Sequence, residues 1–202
     1  MKGYYFITDE KLSLKGNISD VYMAIAAGVQ VIQYRSKDIS TRQMIDEAAK
    51  LRNITSKAIF LINDHIDVAL AVDADGVHLG QNDISCEQAR SLLGNRRKIG
   101  ISVNTLQQAK LAQKQGADYL GVGPVFLTTT KSNAKAALGI ELIRKIKAEV
   151  SLPVAAIGGI TLINAADVIA AGADALCAIS AVVSKPDVKE EILKFQKLFV
   201  KA

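Results

Sequence analysis

Short apolar runs rich in β-branched residues alternate along the chain with segments that have helical spacing. The runs are residues 4–8, 29–34, 58–62, 76–79, 98–102, 119–123, 153–157 and 175–180. Between them, apolar residues return every three or four positions, as at Met44, Ala48 and Leu51 and at Leu106, Ala109, Leu111 and Ala112. The runs are typical of buried strands and the spaced segments of amphipathic helices. The pattern therefore predicts a chain that alternates strand and helix.

Helix starts and an internal repeat sharpen this prediction. A hydroxyl residue followed three positions later by glutamine predicts a capping box at Ser40 with Gln43, at Ser85 with Gln88 and at Thr105 with Gln108. The segments AIAAGVQVIQ, LAVDADGVHL, AQKQGADYLGV and IAAGADALCAI each read as helix, turn and buried strand, and each leads into an even-numbered strand. Eight units of about 25 residues predict a single-domain (β/α)8 barrel over residues 1–202, close to the minimum length of that fold. An open doubly wound sheet is the alternative, but no GxGxxG follows the first strand.

Composition narrows the possible functions. Hydrophobic residues make up 50% of the 202 residues, and the net charge of +5 favours anionic ligands in general. The basic residues do not alternate with stacking aromatics, so nucleic-acid binding is not expected. Cys86 and Cys177 are far apart and are expected to be reduced and partly buried. His65 and His78 are the only histidines, which argues against a zinc site.

No targeting or membrane segment is expected. Residues 1–11 carry Asp9 and Glu10 and lack the long apolar run of a signal peptide. The nearly uncharged stretch 152–183 is interrupted by Asp167, Asp174 and a Gly-Gly pair, so a buried strand, helix and strand account for it better than a bilayer helix. The sequence indicates a cytoplasmic protein without a membrane partner.

Polar residues collect after the predicted strands, where barrel enzymes carry their active sites. They follow seven of the eight strands, in the segments QYRSKD (33–38), ND (63–64), GQND (80–83), S (102), TTTK (128–131), GG (158–159) and IS (179–180). Because the carboxyl ends of parallel strands meet at one face of a barrel, we expect these side chains to lie together. The sequence thus predicts one site at that face.

Two anion sites are expected there. Gly158-Gly159 and a short helix near Ser180 suit a phosphate monoester, although the glycines alone are also compatible with a plain left-handed turn. Arg35, Lys37 and Lys131, with Gln33 and Asn63, suit a second anion. Asp64 and Asp83 lie among these cations. They could form salt bridges with them, or hold a magnesium ion that bridges carboxylates and pyrophosphate oxygens.

Several motifs together resemble the thiamine phosphate synthase family. They are ITD (7–9), QYRSKD (33–38), INDHIDVAL (62–70), DGVHLGQND (75–83), GVGPVFLTTTK (121–131) and VAAIGGI (154–160), in register over nearly the whole chain. The resemblance implies a magnesium-dependent barrel enzyme that joins hydroxymethylpyrimidine pyrophosphate to hydroxyethylthiazole phosphate. The products would be thiamine phosphate and pyrophosphate. Nothing in the sequence determines the oligomeric state, and a homo-oligomer is possible.

The resemblance also implies a role for each matching residue. The pyrimidine pyrophosphate would be held by Gln33, Arg35, Lys37, Asn63, Ser102 and Lys131, of which Arg35, Lys37, Ser102 and Lys131 would act in catalysis. Magnesium would bind Asp64 and Asp83, and the thiazole phosphate would contact Thr128, Thr130, Gly159, Ile179 and Ser180. The TTTK segment would then lie between the two substrates. The twelve residues 127–138 have no clear periodicity, which suits a lid.

Three residues depart from the family pattern, and two other functions are compatible with the fold. Leu127 replaces a proline usual in the loop, His65 stands where an arginine is common, and Asn104 stands where a histidine is frequent. His65 is expected to pack or lie at the rim, and Asn104 or Thr105 to cap the next helix. His78 is expected to be a hydrogen-bonded barrel residue. The alternatives are the related thiazole tautomerase, which relies on a histidine at position 104, and a non-catalytic thiamine-phosphate-binding protein.

Overall fold

The computed structural model describes residues 1–128 and 136–200. The strands are β1 (Gly3–Ile7), β2 (Val31–Tyr34), β3 (Ile59–Asn63), β4 (Gly76–Leu79), β5 (Lys98–Val103), β6 (Tyr119–Val122), β7 (Val154–Ile157) and β8 (Ala175–Cys177). The helices of this part of the chain are α1 (Asn17–Ala26), α2 (Thr41–Ile54), α3 (Ile66–Ala71), α4 (Cys86–Leu93), α5 (Leu106–Lys114), α6 (Glu141–Glu149), α7 (Ala165–Ala170), α8 (Ile179–Val183) and α9 (Val188–Val200). Each strand pairs in parallel with the next, and β1 pairs with β8, so the sheet closes. The predicted (β/α)8 barrel is confirmed.

The strands contribute side chains to two separate cores because successive residues of a strand face opposite sides of the sheet. The core inside the barrel contains Tyr5, Ile7, Val31, Leu61, Tyr119, Ala155, Ala175 and Cys177. The larger core lies between the barrel and its helices and includes Phe6, Ile32, Phe60 and Leu120. Two aromatic hydroxyls therefore lie inside the barrel, beneath the ends of the strands.

An aspartate in three of the four repeat segments ties neighbouring strands together at the amino end of the barrel. Each carboxylate accepts a hydrogen bond from the first or second N–H of the preceding odd strand and pairs with a basic residue. These contacts are Asp75 with Phe60 N (2.7 Å) and Arg52, Asp118 with Ile99 N (2.8 Å) and Arg90, and Asp174 with Val154 N (2.8 Å) and Lys147. The repeat thus marks a recurring connection in the barrel. In the segment LAVDADGVHL the turn is Asp-Ala-Asp instead of a glycine turn, and Asp73 adopts the left-handed conformation (φ 49°).

Some local predictions were right and others wrong. The capping boxes of Ser40 and Ser85 are confirmed. The third is wrong: Thr105 accepts from Gln108 N, but the Gln108 side chain accepts from Asn104 N, one residue earlier. Leu111 is 52% exposed, because Ala109 and Ala112 form the buried face of α5.

The last strand is shorter than predicted. It ends at Cys177, and after a turn at Ala178 the residues Ile179 and Ser180 begin α8. Cys86 and Cys177 are buried free thiols, as expected. Within residues 1–128 and 136–200, no helix has the length and apolar composition needed to cross a membrane.

Candidate active site

Two adjoining cavities open at the carboxyl ends of the strands, with volumes of about 290 and 320 Å³. They share a wall formed by Gly80, Gln81, Asn82, Ser102, Gly121, Ile157, Cys177 and Ile179. The 320 Å³ cavity, here called the charged lobe, is lined further by Tyr5, Gln33, Arg35, Lys37, Asn63, Asp64, His78 and Asp83. The 290 Å³ cavity, here called the glycine lobe, is lined further by Asn104, Gly123, Pro124, Thr128, Gly158, Gly159, Ala178 and Ser180. One site with two compartments results.

The described residues that the sequence assigned to a substrate or to magnesium all line these lobes, and they separate as expected. Those assigned to the pyrimidine pyrophosphate and to magnesium line the charged lobe. Of those assigned to the thiazole phosphate, Thr128, Gly159 and Ser180 line the glycine lobe and Ile179 lies on the shared wall. Thr130 and Lys131, and most of the proposed lid, lie outside the described residues. The contacts of each residue with a substrate stay predictions.

Arg35 is held in the charged lobe by the loop that follows β1. Its Nη1 lies 3.3 Å from Asp9 Oδ2, and both side chains are nearly buried. Thr8 strengthens the connection, since its hydroxyl accepts from Arg35 N at 2.8 Å and donates to Arg35 O at 3.2 Å. An ion pair that positions a guanidinium in this way leaves its remaining N–H groups available to an anion. This explains the ITD segment, to which the sequence assigned no role.

Asp64 and Asp83 form a pair of carboxyls at the rim of the charged lobe. Asp64 has a left-handed backbone (φ 63°), and its N–H donates to His78 O at 2.9 Å. Burial, followed by the proximity and hydrogen bonding of Asp83, raises the pKa of Asp64, while Lys37 and Asn63 oppose the increase. Asp83 Oδ2 also accepts from Gly80 N at 2.6 Å.

The contacts of this pair differ from those of a salt bridge. In the described part of the chain no lysine or arginine forms an ion pair with either carboxylate, and no third carboxylate, histidine or cysteine joins them in a cluster. Two adjacent oxygen ligands suit Mg²⁺, which keeps several waters and takes further oxygens from a phosphate group. The donor set therefore fits the metal that the sequence predicted.

The glycines after β7 make room for protein backbone. A Cβ atom at Gly159 would lie 2.5 Å from Leu127 O, and one at Gly158 would lie 2.6 Å from Pro124 Cα. The segment after β6 is tied to them, because Val125 N donates to Ile157 O (2.9 Å) and Phe126 N to Gly158 O (3.0 Å). Close packing of the β6 loop thus requires these glycines. The sequence left open a ligand's approach or a plain left-handed turn, and both glycines do have a positive φ (100° and 63°).

Three predictions concerned His78, His65 and the cap of α5 at Asn104 or Thr105. His78 is a hydrogen-bonded barrel residue as expected: its Nδ1 lies 2.8 Å from Tyr119 Oη and its Nε2 2.8 Å from Ser102 Oγ. His65 precedes α3 and lies 3.7 Å from Asp67, outside both lobes. Thr105 caps α5, whereas Asn104 lines the glycine lobe and donates to Gly123 O at 2.5 Å.

Sequence reasoning assigned no role to three polar residues that take part in this site. Tyr5 lines the charged lobe, and Tyr119 is bonded to His78 directly beneath it. The third is Gln81, whose side chain donates to Ser102 O at 2.7 Å. Strand alternation could have revealed the tyrosines, since Tyr5 shares its face with Ile7, and Tyr119 shares its face with Gly121. Their hydroxyls then had to find partners inside the barrel.

Comparison with known proteins finds relatives over nearly the whole chain. The family model described as thiamine monophosphate synthase matches residues 4–182. A thiamine-phosphate synthase of Methanosarcina barkeri is 53% identical over 193 residues, covering 95% of this chain and 88% of the relative. One of Methanosarcina mazei is 50% identical over 193 residues, with coverage of 95% and 80%. A solved thiamine phosphate pyrophosphorylase of Pyrococcus furiosus superimposes with a TM-score of 0.90 at 40% identity, covering 98% of this chain and 96% of that one.

Proposed function

Because this chain belongs to the thiamine monophosphate synthase family and is a transferase that forms thiamine phosphate, we propose that its two lobes hold one substrate each. Hydroxymethylpyrimidine pyrophosphate occupies the charged lobe and hydroxyethylthiazole phosphate the glycine lobe. The observation that carries this proposal is the segregation of the lining residues. Cations and carboxylates line one lobe, glycines and hydroxyls line the other, and the shared wall lies between them.

In the charged lobe, Arg35 and Lys37 bind the pyrophosphate. Arg35 is only 13% exposed and is oriented by Asp9, whereas Lys37 is exposed and close enough to Asp64 to influence its pKa. A partly desolvated guanidinium attracts phosphate oxygens more strongly than a solvated one does. Asn63 and Gln33 line the same lobe and contact the pyrimidine substrate by hydrogen bonding.

Magnesium is proposed as the cofactor, with Asp64 and Asp83 as its protein ligands. When bound, the ion would neutralise charge on pyrophosphate oxygens. The raised pKa of Asp64 supports this assignment, because a carboxyl that is partly buried and lies beside a second carboxyl gains from a nearby cation when it ionises.

The proposed reaction proceeds in two steps, the first in the charged lobe and the second across the shared wall. Pyrophosphate departs first, and the electron-rich aminopyrimidine supports the benzylic-type cation that is left. Arg35, Lys37 and Ser102 stabilise the negative charge that develops on the leaving group. The thiazole nitrogen, held in line across the shared wall, then forms the new C–N bond. A neutral aromatic nitrogen requires no general base, so a catalytic triad is unnecessary.

The glycine lobe receives the phosphate of the thiazole substrate. Thr128 and Ser180 carry hydroxyls there, and the backbone at Gly159 and Ile179 lies along the same surface. Thr130 and Lys131 are proposed to complete the site between the two substrates. The thiazole tautomerase and the non-catalytic binding protein are not favoured, because the relatives at 50–53% identity are named synthases. A cytoplasmic location and a homo-oligomer stay predictions.

The proposal is tested by measuring pyrophosphate release from the purified protein. Both substrates with Mg²⁺ are expected to give stoichiometric pyrophosphate and thiamine phosphate, and either substrate alone to give only background release. Equal pyrophosphate release from the pyrimidine substrate alone, without thiamine phosphate formation when both are present, would contradict transfer to the thiazole substrate. Failure to release pyrophosphate with both substrates present, although each binds, would favour the binding protein.

A further inference from the structure

A chain of hydrogen bonds crosses the inside of the barrel beneath the charged lobe. Its links are Gln33 Nε2 to Tyr5 Oη (2.6 Å), Tyr5 Oη to Tyr119 Oη (2.8 Å), Tyr119 Oη to His78 Nδ1 (2.8 Å) and His78 Nε2 to Ser102 Oγ (2.8 Å). The five side chains come from five different strands. They join a residue of the charged lobe to the hydroxyl on the wall that both lobes share.

The barrel provides the space for these rings through two glycines. A Cβ atom at Gly100 would lie 2.0 Å from Tyr119 Cζ, and one at Gly121 would lie 2.7 Å from His78 Cε1. Neither glycine has a positive φ, so backbone conformation does not require them. Glycine at both positions is therefore explained by the volume of the two rings, which indicates that the rings have fixed places.

The direction in which protons are donated along the hydrogen-bond chain follows from Gln33, at its first end. An amide N–H can only donate, so Tyr5 Oη accepts from Gln33 and gives its own proton to Tyr119. Tyr119 then gives its proton to His78 Nδ1. Burial is the largest factor that raises the pKa of both tyrosines well above its usual value, so both keep their protons. A neutral imidazole that accepts at Nδ1 carries its proton on Nε2.

The last link sets the hydroxyl of Ser102. With that polarity, His78 Nε2–H donates to Ser102 Oγ and the serine proton is directed elsewhere. The Ser102 side chain lines both lobes. We infer that Tyr5, Tyr119 and His78 are positioning residues that hold Ser102 as a hydrogen-bond donor to the pyrophosphate of the pyrimidine substrate. This inference rests on the proposed function, in which Ser102 stabilises the leaving group. None of the three residues needs to touch the substrate.

The tautomer of His78 is the first measurement, and it does not depend on activity. The protein has only two histidines, so a His65→Gln background leaves a single imidazole to assign by ¹⁵N NMR. The expected signal at neutral pH is that of the Nε2–H tautomer. A predominant Nδ1–H tautomer would overturn the inference, because Ser102 would then have to donate to His78 and could not donate to the substrate.

Variants test whether the tautomer is set by the tyrosines. Tyr119→Phe is expected to yield a mixture of tautomers and to weaken the binding of inorganic pyrophosphate with Mg²⁺ by about 10-fold to 100-fold, the value of one hydrogen bond to a charged group. Tyr5→Phe is expected to act in the same direction but less, since Tyr119 keeps its hydroxyl. Either variant provides the test if the other does not fold.

Tyr34→Phe is the matched control. Tyr34 is also a fully buried strand tyrosine, but its hydroxyl donates to Glu47 on α2 at 2.7 Å, on the outer side of the barrel. The variant is expected to keep the wild-type tautomer, pyrophosphate affinity and kcat. An equal effect of all three Tyr→Phe changes would mean that loss of packing is responsible, and the inference would be wrong.

Ser102→Ala distinguishes this inference from the proposed function. The variant could leave kcat and pyrophosphate affinity unchanged while His78 is the Nε2–H tautomer. In that case the assignment of Ser102 to the leaving group is wrong, and so is the role inferred for the hydrogen-bond chain. If Ser102→Ala lowers both but Tyr119→Phe changes neither, the proposed function stands and only the inference fails.

Discussion

The guanidinium of Arg35 is joined to the carboxylate of Asp9 at 3.3 Å, across the gap between the loops that follow β1 and β2. The two side chains are 13% and 9% exposed, so this pair is largely shielded from solvent. Its orientation presents Arg35 to the charged lobe. Asp9 does not line the charged lobe, so it influences anion binding through Arg35.

Asp9→Asn is expected to raise the KM for the pyrimidine pyrophosphate by about tenfold, since the oriented guanidinium loses its charged partner. The KM for the thiazole phosphate should stay within a factor of about two, well under one power of ten. Steady-state kinetics with each substrate varied in turn provide the measurement. Asp38→Asn removes an exposed carboxylate of the β2 loop that pairs with Lys11 of the β1 loop, and it should change the KM for the pyrimidine pyrophosphate less than Asp9→Asn does. Equal increases in both KM values would mean that Asp9 supports the whole face of the barrel.

The carboxyl pair predicts a magnesium requirement. Chelation with EDTA should abolish turnover and excess Mg²⁺ should restore it. Asp64→Asn should raise the Mg²⁺ concentration for half-maximal activity by at least about tenfold, because one of two protein ligands loses its charge. Asp67→Asn, on the exposed surface of the neighbouring helix, serves as control. Full activity in excess EDTA would rule out the metal.

Gly159 is expected to be needed for the loop after β6. Gly159→Ala should lower the melting temperature and raise the KM for the thiazole phosphate, because its Cβ would meet Leu127 O. Gly28→Ala is the control: its φ of 76° is also positive, but nothing lies within 4 Å of a Cβ there. Strain alone costs roughly 1–2 kcal/mol. Equal losses of stability in the two variants would show that the contact with the loop contributes nothing.

Asp118 predicts a pH dependence of stability. Burial raises the pKa of this carboxyl, but hydrogen bonds from Ile99 N, Lys98 and Arg90 outweigh burial and lower it overall. A lowered folded-state pKa contributes stability that is fully present above the unfolded pKa of about 3.9 and is lost as pH falls through the folded value. Asp118→Asn should thus cost roughly 1.5–3 kcal/mol at pH 7.

The difference between wild type and Asp118→Asn is measured by urea unfolding at several pH values. It should be constant from neutral pH to about pH 5 and shrink as pH falls below about 4, where the wild-type carboxylate takes up a proton. A difference that stays the same at the lowest pH would mean that the variant acts through packing and not through charge.

The polar residues of the charged lobe that the sequence did predict lie at the end of a strand or within a few residues of it. Arg35, Asn63, Asp64 and Asp83 are far apart in the chain, but parallel strands carry their carboxyl ends to one face. No contact between them had to be known. Short apolar runs indicated the strands, and the order of the strands then determined which side chains would meet.

Tertiary structure alone decided the contacts that cross the barrel. Tyr5 and Tyr119 are 114 residues apart, and their hydroxyls meet at 2.8 Å only because the sheet closes and Gly100 leaves room for a ring. Likewise, the sequence shows two glycines after β7 but not that Leu127 O approaches one of them. Period-two and period-3.6 patterns report which face of an element is buried. They carry no information on which distant side chain fills the same space, because that depends on closure of the barrel and on packing within it.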